Sequence, residues 1–165
     1  KELRNDSWRA FIELQEKGIC KSIGVSNFTI DNLKELEAKY GVLPAINQVE
    51  FHPYHYQKEL LEYCKSKNII IEAYSPLVHA KRMDESRLVA ISEELSKTPA
   101  QVLIRWAIQR GMVVLPKSVN EDRIIENFTV FDFEMSDSIM KRLDDLDERF
   151  VTCWDPHNPP PYAPV

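Results

Sequence analysis

The sequence predicts an α/β fold built on a parallel β-sheet. Four short apolar segments rich in β-branched residues are separated by stretches in which apolar residues recur every three or four positions. The first pattern is typical of buried strands, and the second of helices that bury one face. Because near-continuous apolar strands joined by helices form parallel sheets covered on both faces, we expect that arrangement here.

The elements are expected as a leading helix followed by strands and helices in alternation. The strands are expected in four segments, SIGVSNF from Ser22, INQVEF from Ile46, IIIEAYSPL from Ile69 and MVVLPKS from Met112. The helices are expected over residues 6–17, 29–39, 57–67, 86–109, 119–127 and 136–146. No internal repeat or low-complexity stretch interrupts this order.

The long helical pattern is interrupted near Thr98. Thr98 can act as an N-cap, Pro99 suits the first helical position, and Gln101 can complete a capping box. These signals predict a separate helix over 99–109. The end of the chain, WDPHNPPPYAPV, is too rich in proline for regular structure, so we expect either an extended tail packed over the surface or across a pocket, or a frayed terminus.

Composition excludes several classes of protein. The 21 Lys and Arg and 26 Asp and Glu are spread along the chain, which disfavours a nucleic-acid partner. No apolar stretch is long enough to span a bilayer, and the N-terminus lacks a signal core. Cys20, Cys64 and Cys153 are far apart and match neither a disulfide framework nor a zinc site. We therefore expect a soluble protein in a reducing, cytoplasmic setting.

Polar residues follow each predicted strand: Ser26-Asn27, then Gln48, Glu50 and His52, then Tyr74-Ser75, then Lys117-Ser118. The carboxyl ends of parallel strands meet at one rim, where α/β proteins place their ligand sites. We expect a shared site there, although chains also become polar wherever they leave a core. The four glycines are isolated, so any nucleotide is held without a GxGxxG or Walker loop.

The segment around Lys117 is suited to a phosphate. Ser118 can cap a helix that begins at Val119, with Glu121 completing the box, so that free N–H groups and the positive dipole end face the rim. Lys117 and Arg123 add two cations, which fits a dinucleotide with an extra 2′-phosphate. The alternative is a well-capped helix with ordinary surface cations.

A nicotinamide would suit the other polar clusters. Tyr74 could lie flat against its ring, and three side chains could hydrogen-bond its carboxamide, Ser26, Asn27 and Gln48. Each of them could equally pack or satisfy loop backbone groups. Pro53 between His52 and His55 disfavours a metal site, and we predict none. No spacing indicates a catalytic acid–base pair, so no catalytic residue is predicted in this chain.

Four runs resemble motifs of the aldo-keto reductase family: LQEKGICKSIGVSNF from Leu14, NQVEFHPY from Asn47, AYSPL from Ala73 and LPKSVNEDRIIEN from Leu115. The resemblance covers essentially the whole chain. It implies a (β/α)8 barrel of the TIM type that reduces aldehydes and ketones with NADPH. Residues 1–150 would form its second half, strands 5–8 with their helices, and residues 151–165 a proline-rich C-terminal tail.

The resemblance also implies roles for individual residues. Ser26, Asn27 and Gln48 would hold the nicotinamide carboxamide, Tyr74 would stack on the ring, and Ser75 and Leu77 would line the pyrophosphate path. The 2′-phosphate and its ribose would contact Lys117, Ser118, Val119, Asn120 and Arg123, and the adenine Glu126 and Asn127. Trp154 and the tail would form walls of the substrate pocket. The family's catalytic tyrosine and its partners belong to the first half, and the loop VHAKRMDES departs from the family pattern.

Four strands cannot close a barrel of eight, so the outer edges of the first and last strands would have unpaired backbone groups that need a partner. A missing N-terminal half, a second copy of the chain, or an open sheet would provide it, and the absence of an initial Met favours the first. The leading hypothesis is an oxidoreductase that acts on a small carbonyl compound. The alternatives are a non-catalytic NADPH-binding or regulatory half-barrel module, possible as a dimer, and an isomerase or aldolase, which Lys117 permits but the nicotinamide-type residues disfavour.

Overall fold

The structure, a computed structural model, describes residues 2–156. Its elements alternate as expected: α1 (Glu2–Glu16), β1 (Gly24–Ser26), α2 (Ile30–Tyr40), β2 (Ile46–Glu50), α3 (Lys58–Ser66), β3 (Ile70–Tyr74), α4 (Ser86–Glu94), α5 (Pro99–Gln109), β4 (Val113–Val114), α6 (Glu121–Phe128) and α7 (Asp137–Asp144). A short 3-10 turn, Val78–Ala80, follows β3 and was not predicted. The strands pair in parallel, so the predicted α/β parallel fold is confirmed.

The chain divides into two compact units. Within the described residues, the first comprises 2–49, 58–71 and 154–156, and the second 50–57 and 72–153. None of the helices within residues 2–156 combines the length and the apolar character that crossing a bilayer requires.

In the first unit, β1 pairs in parallel with residues 46–49 of β2, with Gly24 opposite Ile46 and Ser26 opposite Gln48. A Cβ on Gly24 would lie 3.1 Å from the backbone oxygen of Ile46, so a glycine allows this close approach. The core of the unit buries Trp8 together with Leu33 and Leu36 of α2. α2 begins with a capping box at Thr29 and ends at a glycine in the left-handed conformation.

In the second unit, residues 72–74 of β3 pair in parallel with β4, with Glu72 opposite Val113 and Ala73 opposite Val114. α5 supplies much of the core, because Trp106 and five other residues of this helix are buried. The indole N–H of Trp106 donates to Asp144 Oδ1 at 2.8 Å, which ties α5 to the end of α7. The predicted helix over 99–109 is confirmed: Thr98 is its N-cap, Pro99 opens it, and Gln101 completes the capping box.

Candidate functional site

The second unit contains a cavity of about 730 Å³, a size typical of small-molecule sites. Its walls come from the segment after β3, the start of α5, the segment after β4, and α6. Seven of the residues predicted to bind a cofactor line it together: Ser75, Leu77, Lys117, Ser118, Arg123, Glu126 and Asn127. The predicted convergence of the segments after two parallel strands is therefore observed within this unit.

Two positive charges face the cavity without an anionic partner. Among residues 2–156, neither Lys117 nor Arg123 forms a side-chain hydrogen bond or salt bridge, and both side chains are exposed. Several other cations of the unit are neutralised by carboxylates, as Lys97 is by Asp132 at 2.6 Å. Unneutralised Lys and Arg at the wall of a cavity create a site for a phosphate or another anion.

The start of α5 also lines the cavity, through Thr98, Pro99 and Ala100. Its first turn carries no acidic residue, so the positive end of the helix dipole is not opposed there. Sequence reasoning identified this helix but did not assign it to the site. The capping box at Thr98 marks the start of this helix in the sequence. Nothing in the sequence shows that this start lies at the same cavity as the segment after β4.

The predicted cap of α6 is wrong. The helix begins at Glu121, and its N-cap is Asn120, whose side chain accepts a hydrogen bond from Arg123 N at 3.0 Å. The Ser118 hydroxyl instead accepts from Asn120 N at 3.1 Å and closes a local turn two residues earlier. Both residue types are good caps, and the later one prevails because Ser118 is held in that turn.

Three predicted cofactor residues of the second unit do not line the cavity. Val119 is 87% exposed, and Asn120 is exposed beside it. Tyr74 is half-buried at the end of β3, where its carbonyl oxygen accepts a hydrogen bond from Phe51 N at 3.3 Å. Their predicted contacts therefore gain no support from the cavity.

In the first unit, the predicted residues Ser26, Asn27 and Gln48 meet at one carbonyl oxygen. The Ser26 hydroxyl and the Asn27 backbone N–H both donate to Gln48 O, each at 2.9 Å. Asn27 has a φ of 57°, a left-handed conformation that asparagine tolerates better than most residues. These contacts fix the loop that follows β1.

Sequence reasoning missed a residue that positions this loop. Asn47 is fully buried, and its side-chain amide accepts from Phe28 N at 3.3 Å and donates to Phe28 O at 2.9 Å. A buried amide with both groups satisfied holds the loop backbone in a defined position. Its only sequence signal was its place at the start of the run NQVEFHPY.

Glu50 and His52 form a buried pair that stabilises the interior of the protein rather than binding a ligand. Both are buried, with Glu50 Oε1 3.1 Å from His52 Nε2. Glu50 also accepts from the backbone N–H of Thr152 at 2.7 Å and of Cys153 at 3.0 Å. Burial by itself raises the pKa of the Glu50 carboxyl, but hydrogen bonds from His52, Thr152 and Cys153 outweigh it and lower the pKa to about 2.

Trp154, the predicted wall of a substrate pocket, lies in the first unit, and its indole nitrogen is buried without a hydrogen-bond partner in the described part of the chain. The rest of the proline-rich tail, residues 157–165, lies outside the described residues. Among residues 2–156, no group of three or more His, Cys, Asp or Glu side chains could hold a metal ion.

Comparison with known proteins gives a consistent result. The model of the aldo/keto reductase family matches residues 4–148. The chain is 46% identical over 151 residues to the glyoxal reductase of Bacillus subtilis, covering 90% of this chain and 55% of that protein. It is 43% identical over 150 residues to aldose reductase B of Dictyostelium discoideum, covering 90% of this chain and 48% of that protein.

Solved structures that are similar to this chain belong to the same family. The crystal structure of a Gox0644 mutant in complex with NADPH matches with a TM-score of 0.86 and 40% identity, covering 91% of this chain and 56% of that one. The aldo-keto reductase AKR2E5 complexed with NADPH matches with a TM-score of 0.81 and 36% identity, covering 88% and 48%. The chain spans about half the length of the curated relatives it matches.

Proposed function

Because this chain belongs to the aldo/keto reductase family, we propose that it supplies most of the cofactor site of an NADPH-dependent oxidoreductase that reduces aldehydes or ketones to alcohols. The observation that carries the proposal is the cavity of the second unit, where two unneutralised cations lie beside a helix N-terminus. When bound, NADPH supplies the hydride that reduces the carbonyl carbon.

The residues of the cavity fit the phosphates of this cofactor. Lys117 and Arg123 would bind the 2′-phosphate, since arginine offers a planar donor fork and lysine a point charge. Ser75 and Leu77 would line the pyrophosphate. Glu126 and Asn127, the latter nearly buried, would contact the adenine. The assignment of Ser118, Val119 and Asn120 to the ribose rests on the family resemblance.

The carboxamide contacts are a separate proposal for the first unit. The hydroxyl hydrogen of Ser26 is donated to Gln48 O, so the lone pairs of Ser26 Oγ are available to accept from a carboxamide NH₂. Asn27 and Gln48 would supply the remaining donor and acceptor groups. For Tyr74, which belongs to the second unit, stacking on the nicotinamide ring rests on the family resemblance. The fixed loop after β1 supports this role, because a preorganised loop loses little entropy on binding.

The position of the chain within the barrel is also proposed: it forms the second half, strands 5–8, and an N-terminal half supplies the catalytic tyrosine and its partners. Two observations support this. The chain covers only 55% of the Bacillus subtilis relative. On α6, the side chains of Ile124, Ile125 and Phe128 are 52%, 60% and 75% exposed. A contiguous apolar face of this kind usually meets another part of a protein.

The direct test is a fluorescence titration of the chain with NADPH and with NADH. We expect NADPH to bind at least about tenfold more tightly, because the 2′-phosphate gains a charge-assisted hydrogen bond. Arg123→Ala should remove most of this difference and leave the NADH affinity almost unchanged. Arg142→Ala, which breaks a pair with Glu94 outside the cavity, is the matched control. Equal affinities for the two cofactors in the unaltered chain would refute the assignment.

Turnover separates an enzyme part from a non-catalytic module. The isolated chain should oxidise NADPH negligibly in the presence of an aldehyde, because the proposed acid lies in the other half. A chimera that places the proposed N-terminal half, taken from the Bacillus subtilis glyoxal reductase, before residue 1 should restore turnover. A chimera that is folded, binds NADPH and remains inactive would favour the non-catalytic module.

A further inference from the structure

Three reactive side chains of the second unit form a triangle at the edge of the cavity. His79 Nε2 lies 3.1 Å from Cys153 Sγ and 3.0 Å from Ser75 Oγ, and Ser75 Oγ lies 3.2 Å from Cys153 Sγ. We refer to Ser75, His79 and Cys153 as the thiol triad. The resemblance to known reductases assigns no role to His79 or Cys153. Cys153 and His79 are exposed, so a small molecule can reach the sulfur.

The backbone holds His79 toward the other two members. Val78, His79 and Ala80 have φ values of 54°, 52° and 61°, a left-handed turn made of three non-glycine residues. Non-glycine residues are strained in this conformation, and clusters of such residues occur at functional sites. The imidazole then points back to Ser75, four residues earlier in the chain.

The opposite side of the triad is held by the buried carboxylate of Glu50. Cys153 N donates to Glu50 Oε2 at 3.0 Å, and Thr152 N donates to Oε1 at 2.7 Å. The thiol and the imidazole therefore come from separate segments, each fixed independently. A nucleophile and a base held within hydrogen-bond distance are the arrangement that activates a cysteine.

The other cysteines provide a contrast within the same chain. Cys64 is fully buried, and its burial raises the pKa of its thiol to about 11, so it stays protonated and inaccessible. Cys20 is partly exposed in the first unit and serves as the accessible comparison.

We propose that Cys153 is a nucleophilic thiol, activated by His79, that forms a mixed disulfide with low-molecular-weight disulfides and thereby obstructs the cavity. The Cys153 proton passes to His79 Nε2, and the thiolate attacks one sulfur of the small disulfide. The new S–S bond forms as the old one breaks, and the second sulfur leaves as a thiolate that takes a proton from the imidazolium. The Ser75 hydroxyl can donate to the sulfur while it is negatively charged.

The effect on the cavity follows from its lining. Ser75 and His79 both line the cavity, so a group attached to the Cys153 sulfur occupies space beside its wall. This second part of the inference rests on the proposed function, because the occupant that the adduct displaces is NADPH. The thiol chemistry itself does not depend on that function.

The thiol chemistry is tested by mass spectrometry of the whole chain treated with oxidised glutathione at neutral pH. We expect one glutathionyl adduct, on Cys153, and none in Cys153→Ser. His79→Asn should slow the reaction by about tenfold or more, because asparagine suits the left-handed backbone but cannot take the proton. Cys20→Ser is the control and should react as the unaltered chain does. A rate unchanged by His79→Asn in a variant with unaltered melting temperature, or an adduct on Cys20 alone, would overturn the proposal.

The obstruction is tested by titrating NADPH into the glutathionylated chain. We expect the dissociation constant to rise by at least about tenfold and to recover after treatment with dithiothreitol, whereas Cys153→Ser should be insensitive to oxidised glutathione. Equal NADPH affinity before and after modification would overturn the obstruction. Failure of the unmodified chain to bind NADPH would instead contradict the proposed function, and the mass-spectrometric rates would still decide the chemistry of the triad.

Discussion

Single residues of the same chemical type have different tasks in this molecule. Glu50 and Glu126 both lie near predicted ligand-binding motifs, but Glu50 is buried and anchors backbone N–H groups, whereas Glu126 lines the cavity. The sequence predicts that polar residues follow the strands, because parallel strands are apolar between their ends. It does not reveal which of these residues turn inward, since a partner such as Thr152 lies 102 positions away.

Glu50 gives the stability of the chain a specific dependence on acid. Its pKa in the folded state is about 2, below the ordinary value of 4.5, so the carboxylate stabilises the fold above pH 4.5 and this contribution is lost as the pH falls toward 2. Glu50→Gln should lower the free energy of unfolding at pH 7 by about 2 to 3 kcal/mol and flatten the acid limb of the stability curve. Urea unfolding between pH 2 and 7 measures this.

The exposed Glu134 is the matched control for that experiment. Glu134→Gln should change the free energy of unfolding by less than about 0.5 kcal/mol at every pH, as is usual for surface positions. If Glu50→Gln retained the full acid dependence, the buried carboxylate would not be its source.

At the scale of elements, the prediction identified every α-helix and strand within residues 2–156 but not the 3-10 turn after β3, and the cap of α6 was misplaced where two local signals compete. Ser118 and Asn120 are both suitable caps, and only the turn made by the Ser118 hydroxyl selects the later one. The left-handed turn from Val78 to Ala80 carries no sequence signal, because β-branched residues such as valine disfavour that conformation. Within this turn, His79 contacts Cys153, which lies far away along the chain, and local sequence does not reveal such a contact.

The cap of α6 can be tested by two neighbouring substitutions. Asn120→Ala should lower the free energy of unfolding by about 1 kcal/mol, because it leaves the N–H of Arg123 without its side-chain acceptor. Ser118→Ala removes a turn contact outside the helix and should cost less, about 0.5 kcal/mol or below. Urea denaturation of both variants gives the comparison, and the reverse order would favour the cap at Ser118.

For the whole molecule, the apolar face of α6 is the main feature that composition did not predict. Ile124, Ile125 and Phe128 are exposed on a helix whose other face reaches the cavity through Arg123 and Asn127. The spacing of the apolar residues predicts where the helix lies along the chain. It does not predict which of these residues are buried, because burial depends on tertiary partners that the local sequence does not specify. The fold class could be predicted because its periodicities are local.

The exposed face of α6 should make the isolated chain self-associate. Ile125→Glu should shift the chain toward monomer, because a charge opposes burial of this face. The same substitution in the chimera with the glyoxal reductase segment should destabilise the product. Size-exclusion chromatography with light scattering measures both. Leu3→Glu on α1, also at a highly exposed apolar position, is the control and should leave association unchanged. An unaltered chain that is monomeric at high concentration would contradict the expectation.

The burial of one tryptophan in each compact unit gives the protein two built-in optical reporters. Trp8 is enclosed in the first unit and Trp106 in the second, where the rings of Phe51 and Tyr56 surround it. With the partly exposed Trp154 replaced by phenylalanine, variants that retain one of the two would each emit from a single known environment. Coincident emission changes during denaturation would mean that both units melt as one cooperative body, and separated changes that each melts independently.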